Sequence, residues 1–189
     1  MENKDYSKLL NLLASTGVCK TGKRYLKGTD KGFDTLVKVM KGWPEYLYEH
    51  SEVAIDLLRK YIDNEDRSKL EKEGIYIDVV SAKLKTVKNN QTPIFILGNS
   101  TITLEGLDNQ VIKVYVFNNS DVMILGGEGT FIDVEAWNNS HVELHTEKGV
   151  AYCYDSATIE TEARCVRKQY DRGEVFNGKE LQNYLNDTK

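Results

Sequence analysis

The chain has 189 residues, with 25 Lys and Arg against 29 Asp and Glu, a formal net charge of -4. Hydrophobic residues make up 40% and charged residues 29%, which is a foldable composition and excludes a disordered or fibrous chain. No apolar run approaches the ~20 residues of a membrane helix, and the first residues lack a signal-peptide pattern, so a cytoplasmic protein with no membrane partner is expected.

Residues 5–73 read as four or five short helices, a small bundle. Leu9, Leu10, Leu12 and Leu13 suggest the first. Phe33, Leu36, Val37 and Met40 lie at i, i+3, i+4 and i+7, one face of a second, with Asp30 before it and Gly42 at its end. Pro44 suits the first turn of a short helix. Ser51 can cap another, where Ile55, Leu58 and Ile62 share a stripe. A last helix is predicted over Asp66–Glu73, stopping at Gly74.

From Ile75 the period changes to two. Ile75, Ile77 and Val79 alternate with Tyr76, Asp78 and Val80. Lys83–Thr92 reads as a polar connection. Residues 94–162 then carry an internal repeat: IFILGNSTI from Ile94, VYVFNNSDV from Val114, VEAWNNSHV from Val134 and AYCYDSATI from Ala151. The starts are spaced by 20, 20 and 17 residues, a period that marks stacked coils. Alternation then points Val114, Val116, Val122 and Ile124 inward, and their repeat equivalents with them. Cys153 falls among these as a packed thiol. The turns GNST, NNSD, NNSH and DSAT carry residues that tolerate left-handed backbone, and their Asn side chains can form ladders between coils. The five Asn-x-Ser/Thr sequons, at Asn90, Asn99, Asn118, Asn138 and Asn186, are read as the same turn chemistry.

The expected fold is therefore α+β. A helical domain over 1–74 precedes a short β-solenoid of three to four coils over 75–177, and a capping helix or tail follows over 178–189. Open coil ends need covers, which the helical half and Leu181, Tyr184 and Leu185 of the tail can supply. A rival topology remains open, in which the same segments are antiparallel hairpins and Gly126-Gly127 is a further turn.

The segment VEAWNNSHVELH resembles the octads V-x-A-aromatic-[DN]-[NS]-[SA]-x reiterated in a family of phage and prophage proteins. The helical half is similar to the leader of such proteins at Gly17, Cys19, Tyr25 and Gly42-Trp43. The octads here are separated by inserted residues. The resemblance implies a phage or mobile-element origin in a bacterial cytoplasm, and it carries no activity.

Catalytic signals are few. Gly17–Arg24 matches G-x-x-x-x-G-K, but Arg24 stands where a P-loop needs Ser or Thr, and a helix precedes it where the motif needs a strand. The odd cysteine count, Cys19, Cys153 and Cys165, contains no CxxC pair, so no structural zinc site is expected. His141, Glu143 and His145 share one strand face and are read mainly as an exposed polar face. No enzyme activity, metal or cofactor is expected.

Three surface features are candidates for binding. Two rows of the repeat's outer face, Phe95, Tyr115, Glu135 and Tyr152 beside Leu97, Phe117, Trp137 and Tyr154, are largely aromatic; they read either as a contact surface or as a patch covered within the chain, by the helical half or by the Lys83–Thr92 connection. Glu143, Glu160 and Glu162 lie on the acidic repeat. Lys20, Lys23, Arg24, Lys27 and Lys31 form a basic run, a weaker nucleic-acid candidate. The charge divides unevenly: residues 94–163 hold 2 basic and 11 acidic groups, a net -9, between ends of +3 and +2. The expected function is a non-enzymatic protein-binding module that acts through the aromatic and acidic faces, with homo-oligomerisation open. The alternative is an inhibitor of a bacterial defence complex, whose acidic face competes for a nucleic-acid groove.

Overall fold

The structure is a computed structural model. It describes residues 6–15, 32–42, 44, 51–86, 92–106, 108–161, 164–169 and 174–176, the last two stretches through their backbone alone. The basic run from Lys20 to Lys31, Cys19, Trp43, Glu162 and the tail from Gly178 lie outside the described residues. The chain divides into two compact units, Met1–Glu73 and Gly74–Lys189.

The described helices of the first unit are α1 (Tyr6–Ser15), α2 (Phe33–Gly42), α3 (Ser51–Tyr61) and α4 (Asn64–Lys72). Each buries the stripe its period sets. Leu9, Leu10 and Leu13 are buried on α1, Leu36, Val37 and Met40 on α2, and Ala54, Ile55 and Leu58 on α3. Helix α4 begins two residues before the predicted start, because Asp63 rather than Asp66 ends the preceding turn. The Asp66 N–H donates to Asp63 Oδ1 at 2.9 Å, and the Asp63 N–H donates back to Asp66 Oδ2 at 3.4 Å. This capping box satisfies two N–H groups that the helix cannot. The Tyr6 hydroxyl donates to Asp66 Oδ1 at 2.6 Å and ties α1 to the same cap. Among the described residues no helix is long and apolar enough to cross a membrane.

The second unit is a parallel β-solenoid. Odd-numbered strands form one six-stranded sheet in the order β1-β3-β5-β7-β9-β11, and even-numbered strands form the other. The first sheet holds β1 (Ile75–Ile77), β3 (Ile94–Leu97), β5 (Val111–Val116), β7 (Phe131–Ala136), β9 (Lys148–Cys153) and β11 (Arg164–Gln169). The second holds β2 (Ala82–Lys85), β4 (Thr101–Glu105), β6 (Asp121–Leu125), β8 (His141–His145), β10 (Thr158–Thr161) and β12 (Glu174–Phe176). All described pairings between these strands are parallel, which excludes the hairpin topology. The four sequence repeats are four successive coils, and a strand pair on either side extends both sheets.

Part of the expected polar connection is strand. Ala82–Lys85 pairs with β4, with Ala82 opposite Ile102 and Leu84 opposite Leu104. Lys83 and Lys85 point outward, and lysines on an end strand discourage pairing with other chains. The two Lys obscured the alternation in the sequence.

The interior follows the repeat. Ile96, Val116, Ala136 and Cys153 stack in one column, and Ile102, Val122, Val142 and Ile159 in another, all essentially inaccessible. Each such aliphatic side chain contributes about 1.5–3 kcal/mol by leaving water. Thr161, the polar member of the interior set, is also buried.

One corner recurs in every coil from β1 to β10. Asp78, Gly98, Asn118, Asn138 and Asp155 occupy equivalent positions and have φ of 53°, 77°, 63°, 64° and 56°. Few residues adopt this left-handed backbone cheaply, which explains the Asn, Asp and Gly found there. Their side chains form the predicted ladder. The Gly98 N–H donates to Asn118 Oδ1 at 3.1 Å, and the Asn118 N–H donates to Asn138 Oδ1 at 3.0 Å. Beside it, Asn139 Nδ2 donates to Asn119 Oδ1, and Asn119 Nδ2 to Asn99 Oδ1, both at 3.3 Å. The opposite corner is crowded instead. A Cβ on Gly127 would lie 2.5 Å from Asp108 Oδ1, which accepts from the Glu128 N–H at 2.8 Å.

Asn118→Gly keeps the backbone conformation but strands the buried Gly98 N–H, so a loss of about 1–3 kcal/mol is expected in chemical denaturation. Asn118→Ala adds left-handed strain and should cost about 1–2 kcal/mol more. Equal losses in the two variants would show that the backbone conformation contributes nothing.

Candidate functional site

Alternation gives each sheet one outer face, and the parallel register aligns those faces into rows. On the first sheet, Ile75, Phe95, Tyr115, Glu135 and Tyr152 form one row. The second row contains Ile77 and Leu97, followed by Phe117, Trp137 and Tyr154 at the strand ends. The rings stack along and between the rows. Phe95 lies 4.9 Å from Tyr115, Phe117 lies 4.8 Å from Trp137, and Trp137 lies 4.9 Å from Tyr154, all near-parallel. Both rows predicted from the repeat are therefore assembled as rows.

Their exposure is uneven. Phe117 is fully buried, Trp137 is 4% exposed and Tyr115 is 8% exposed, whereas Tyr152 and Tyr154 are partly exposed. The aromatic face presents rings to solvent only at its β9 end.

Lys113 is a member of this face that the sequence reading passed over. Its Nζ lies 2.8 Å from Glu135 Oε1, 3.4 Å from Asp133 Oδ2 and 4.8 Å from the centre of the Tyr115 ring. Burial works against its charge, but Glu135, Tyr115 and Asp133 outweigh that and hold its pKa above the ordinary lysine value. Burial likewise raises the Tyr115 phenol. The signal for Lys113 was its place two residues before Tyr115, with Glu135 in Tyr115's slot one coil later.

The second sheet presents a polar outer face. One row is Thr101, Asp121, His141 and Thr158. The next is Lys83, Thr103, Met123, Glu143 and Glu160, and the third is Lys85, Glu105, Leu125 and His145. At the first coils two lysines offset one carboxylate. Glu105 is bridged by Lys83 and Lys85, and the hydrogen bond from Lys83 holds its carboxyl below the usual range. Strands β6, β8 and β10 contain no Lys or Arg. Among the described residues no lysine or arginine pairs with Asp121, Glu143 or Glu160. Glu143 and Glu160 are register partners on adjacent strands, as the repeat implied.

His141 and His145 sit four residues apart on β8, ~13 Å along an extended strand, too far to share one metal ion. Among the described residues no three His, Cys, Asp or Glu side chains converge as a metal site. Cys153 is in no disulfide and is buried in the interior column.

The fold and these faces define a two-sheeted parallel β-solenoid with one aromatic and one acidic outer face. Comparison with protein-family profiles, with curated proteins and with solved structures found no match.

Proposed function

We propose that the chain is a non-enzymatic protein-binding module whose contact surface is the acidic outer face of β6, β8 and β10. One observation carries this reading. Asp121, Glu143 and Glu160 lack Lys or Arg partners among the described residues, whereas the first sheet's Asp133 and Glu135 share Lys113. Of the two sheet faces, the second is therefore the one that presents carboxylates without Lys or Arg beside them on β6, β8 and β10. Glu162 belongs to the reading through the sequence alone. Strands spaced ~4.8 Å apart hold these carboxylates in fixed rows, so little ordering opposes docking. The complementary partner is a protein surface rich in Lys and Arg.

The finer version makes that partner a bacterial defence complex that handles nucleic acid. The carboxylates would then occupy a groove that otherwise holds phosphates. The octad resemblance, with its phage or mobile-element origin and bacterial cytoplasm, motivates this version.

Affinity capture from bacterial lysate, with a Glu143→Gln/Glu160→Gln control, tests both. Specific capture should weaken as salt rises and be lost in the control. Excess duplex DNA should release the partner in the finer version. Retention of the partner under excess DNA would leave the binding module and sink the inhibitor.

A further inference from the structure

We infer that the acidic face carries its own pH-dependent charge switch, in which protonation of His141 and His145 cancels most of the negative charge around them. The inference deepens the acidic-face reading and rests on it for its use, but the charge change can be tested without a partner.

The geometry places each imidazole against a carboxylate. His141 Nε2 lies 4.0 Å from Glu160 Oε1, and His145 Nε2 lies 3.8 Å from Glu143 Oε2. Both rings are partly exposed and reachable by solvent protons. His141 Nδ1 is 2.8 Å from Thr158 Oγ1. A hydroxyl can donate to a neutral ring nitrogen or accept from a protonated one, so this contact suits both charge states.

Among the described residues of β6, β8 and β10 there is no Lys or Arg to compete. On β6, Asp121 lies opposite His141 and Leu125 opposite His145. On β8 itself, Glu143 lies between the two histidines. On β10, Thr158 lies opposite His141, and Glu160 opposite Glu143. Histidine is the side chain that ordinarily changes charge between about pH 5 and 8, whereas carboxylates ordinarily stay ionised there. With neutral imidazoles the described face carries three carboxylates, a charge of -3. With both protonated it carries -1. A basic partner would then bind at neutral pH and be released on acidification.

The partner-free test uses NMR relaxation enhancement by a cationic and a neutral soluble nitroxide, read at the Glu143 and Glu160 amides. The cationic-to-neutral ratio should fall about threefold at low salt as the added charges, ~6 Å away, oppose the cation. The ratio is compared at about pH 7.5 and about pH 5.5, and a His141→Gln/His145→Gln variant should show no fall. A flat ratio in the wild type, or the same fall in that variant, would overturn the switch.

Polylysine serves as the model basic partner at the same two pH values. Affinity should drop on acidification for the wild type and stay constant for the double His variant. An affinity that needs Glu143 and Glu160 yet ignores pH also overturns the switch. An affinity indifferent to Glu143→Gln/Glu160→Gln sinks the acidic-face reading, while the nitroxide ratio still decides the charge change.

Discussion

Trp137→Ala is expected to lower the unfolding free energy of the second unit by about 3–5 kcal/mol. The ring is 4% exposed and stacks on three others: Phe117 at 4.8 Å, Tyr154 at 4.9 Å and Tyr115 at 5.7 Å. Aromatic pairs of this kind contribute about 0.5–1.5 kcal/mol each beyond the area they bury. Truncation also leaves a cavity that flat sheet neighbours fill poorly, since the strands on both sides are held by the coil ladder. Because a stacked coil contacts only its neighbours, the loss should be local. Hydrogen exchange should quicken most in β5, β7 and β9, and denaturation followed by circular dichroism gives the total. Trp137→Phe, which keeps a ring in the stack, should cost less. An exposed docking residue would behave differently, with stability unchanged within about 0.5 kcal/mol. A loss that small would return the aromatic rows to the status of an open contact surface.

The architecture was legible because two signals agreed. Period-two alternation assigned the inward positions, and the spacing of 20, 20 and 17 residues aligned Val114 with Val134 and Ala151, as the register has it. Turn chemistry added the left-handed corner, where Asn118, Asn138 and Asp155 stand. Strand β2 escaped because Lys83 and Lys85 make AKLK look like linker, although Ala82 and Leu84 keep the alternation. The start of α4 escaped because Asp63 and Asp66 are both good caps, and only their reciprocal hydrogen bonds decide which one leads. Burial of the aromatic rows was one of two readings that the sequence left open. Alternation says which sheet face a residue is on, not how much of that face meets water. The acidic site was half legible. Summing charges gave -9 for the repeat, but the division between the sheets depends on Lys113 reaching across coils to Asp133 and Glu135.

That division makes charge reversal a sharp test. Glu143→Lys/Glu160→Lys is expected to weaken binding of a basic partner about 100-fold at low salt. Each reversal changes two unit charges. A unit charge ~6 Å from its counterpart in water contributes about 0.7 kcal/mol, so four units give about 2.8 kcal/mol. A tenfold change in affinity corresponds to about 1.4 kcal/mol, which makes this about two decades. Raising the salt to about 1 M should shrink the effect to a few-fold, because the screening length falls from ~10 Å at 0.1 M to ~3 Å, shorter than the ~6 Å separation. The fold should survive the change. Both side chains lie on the outer face, and as register partners they replace one like-charge pair with another. Stability should therefore stay within about 0.5 kcal/mol of the wild type. Glu143→Gln/Glu160→Gln removes half the charge change and should lose about tenfold, which separates electrostatics from shape. Calorimetry of the three proteins against polylysine, and against any captured partner, reads these ratios directly. Equal affinities across wild type, Gln and Lys forms would remove the acidic face from the binding surface.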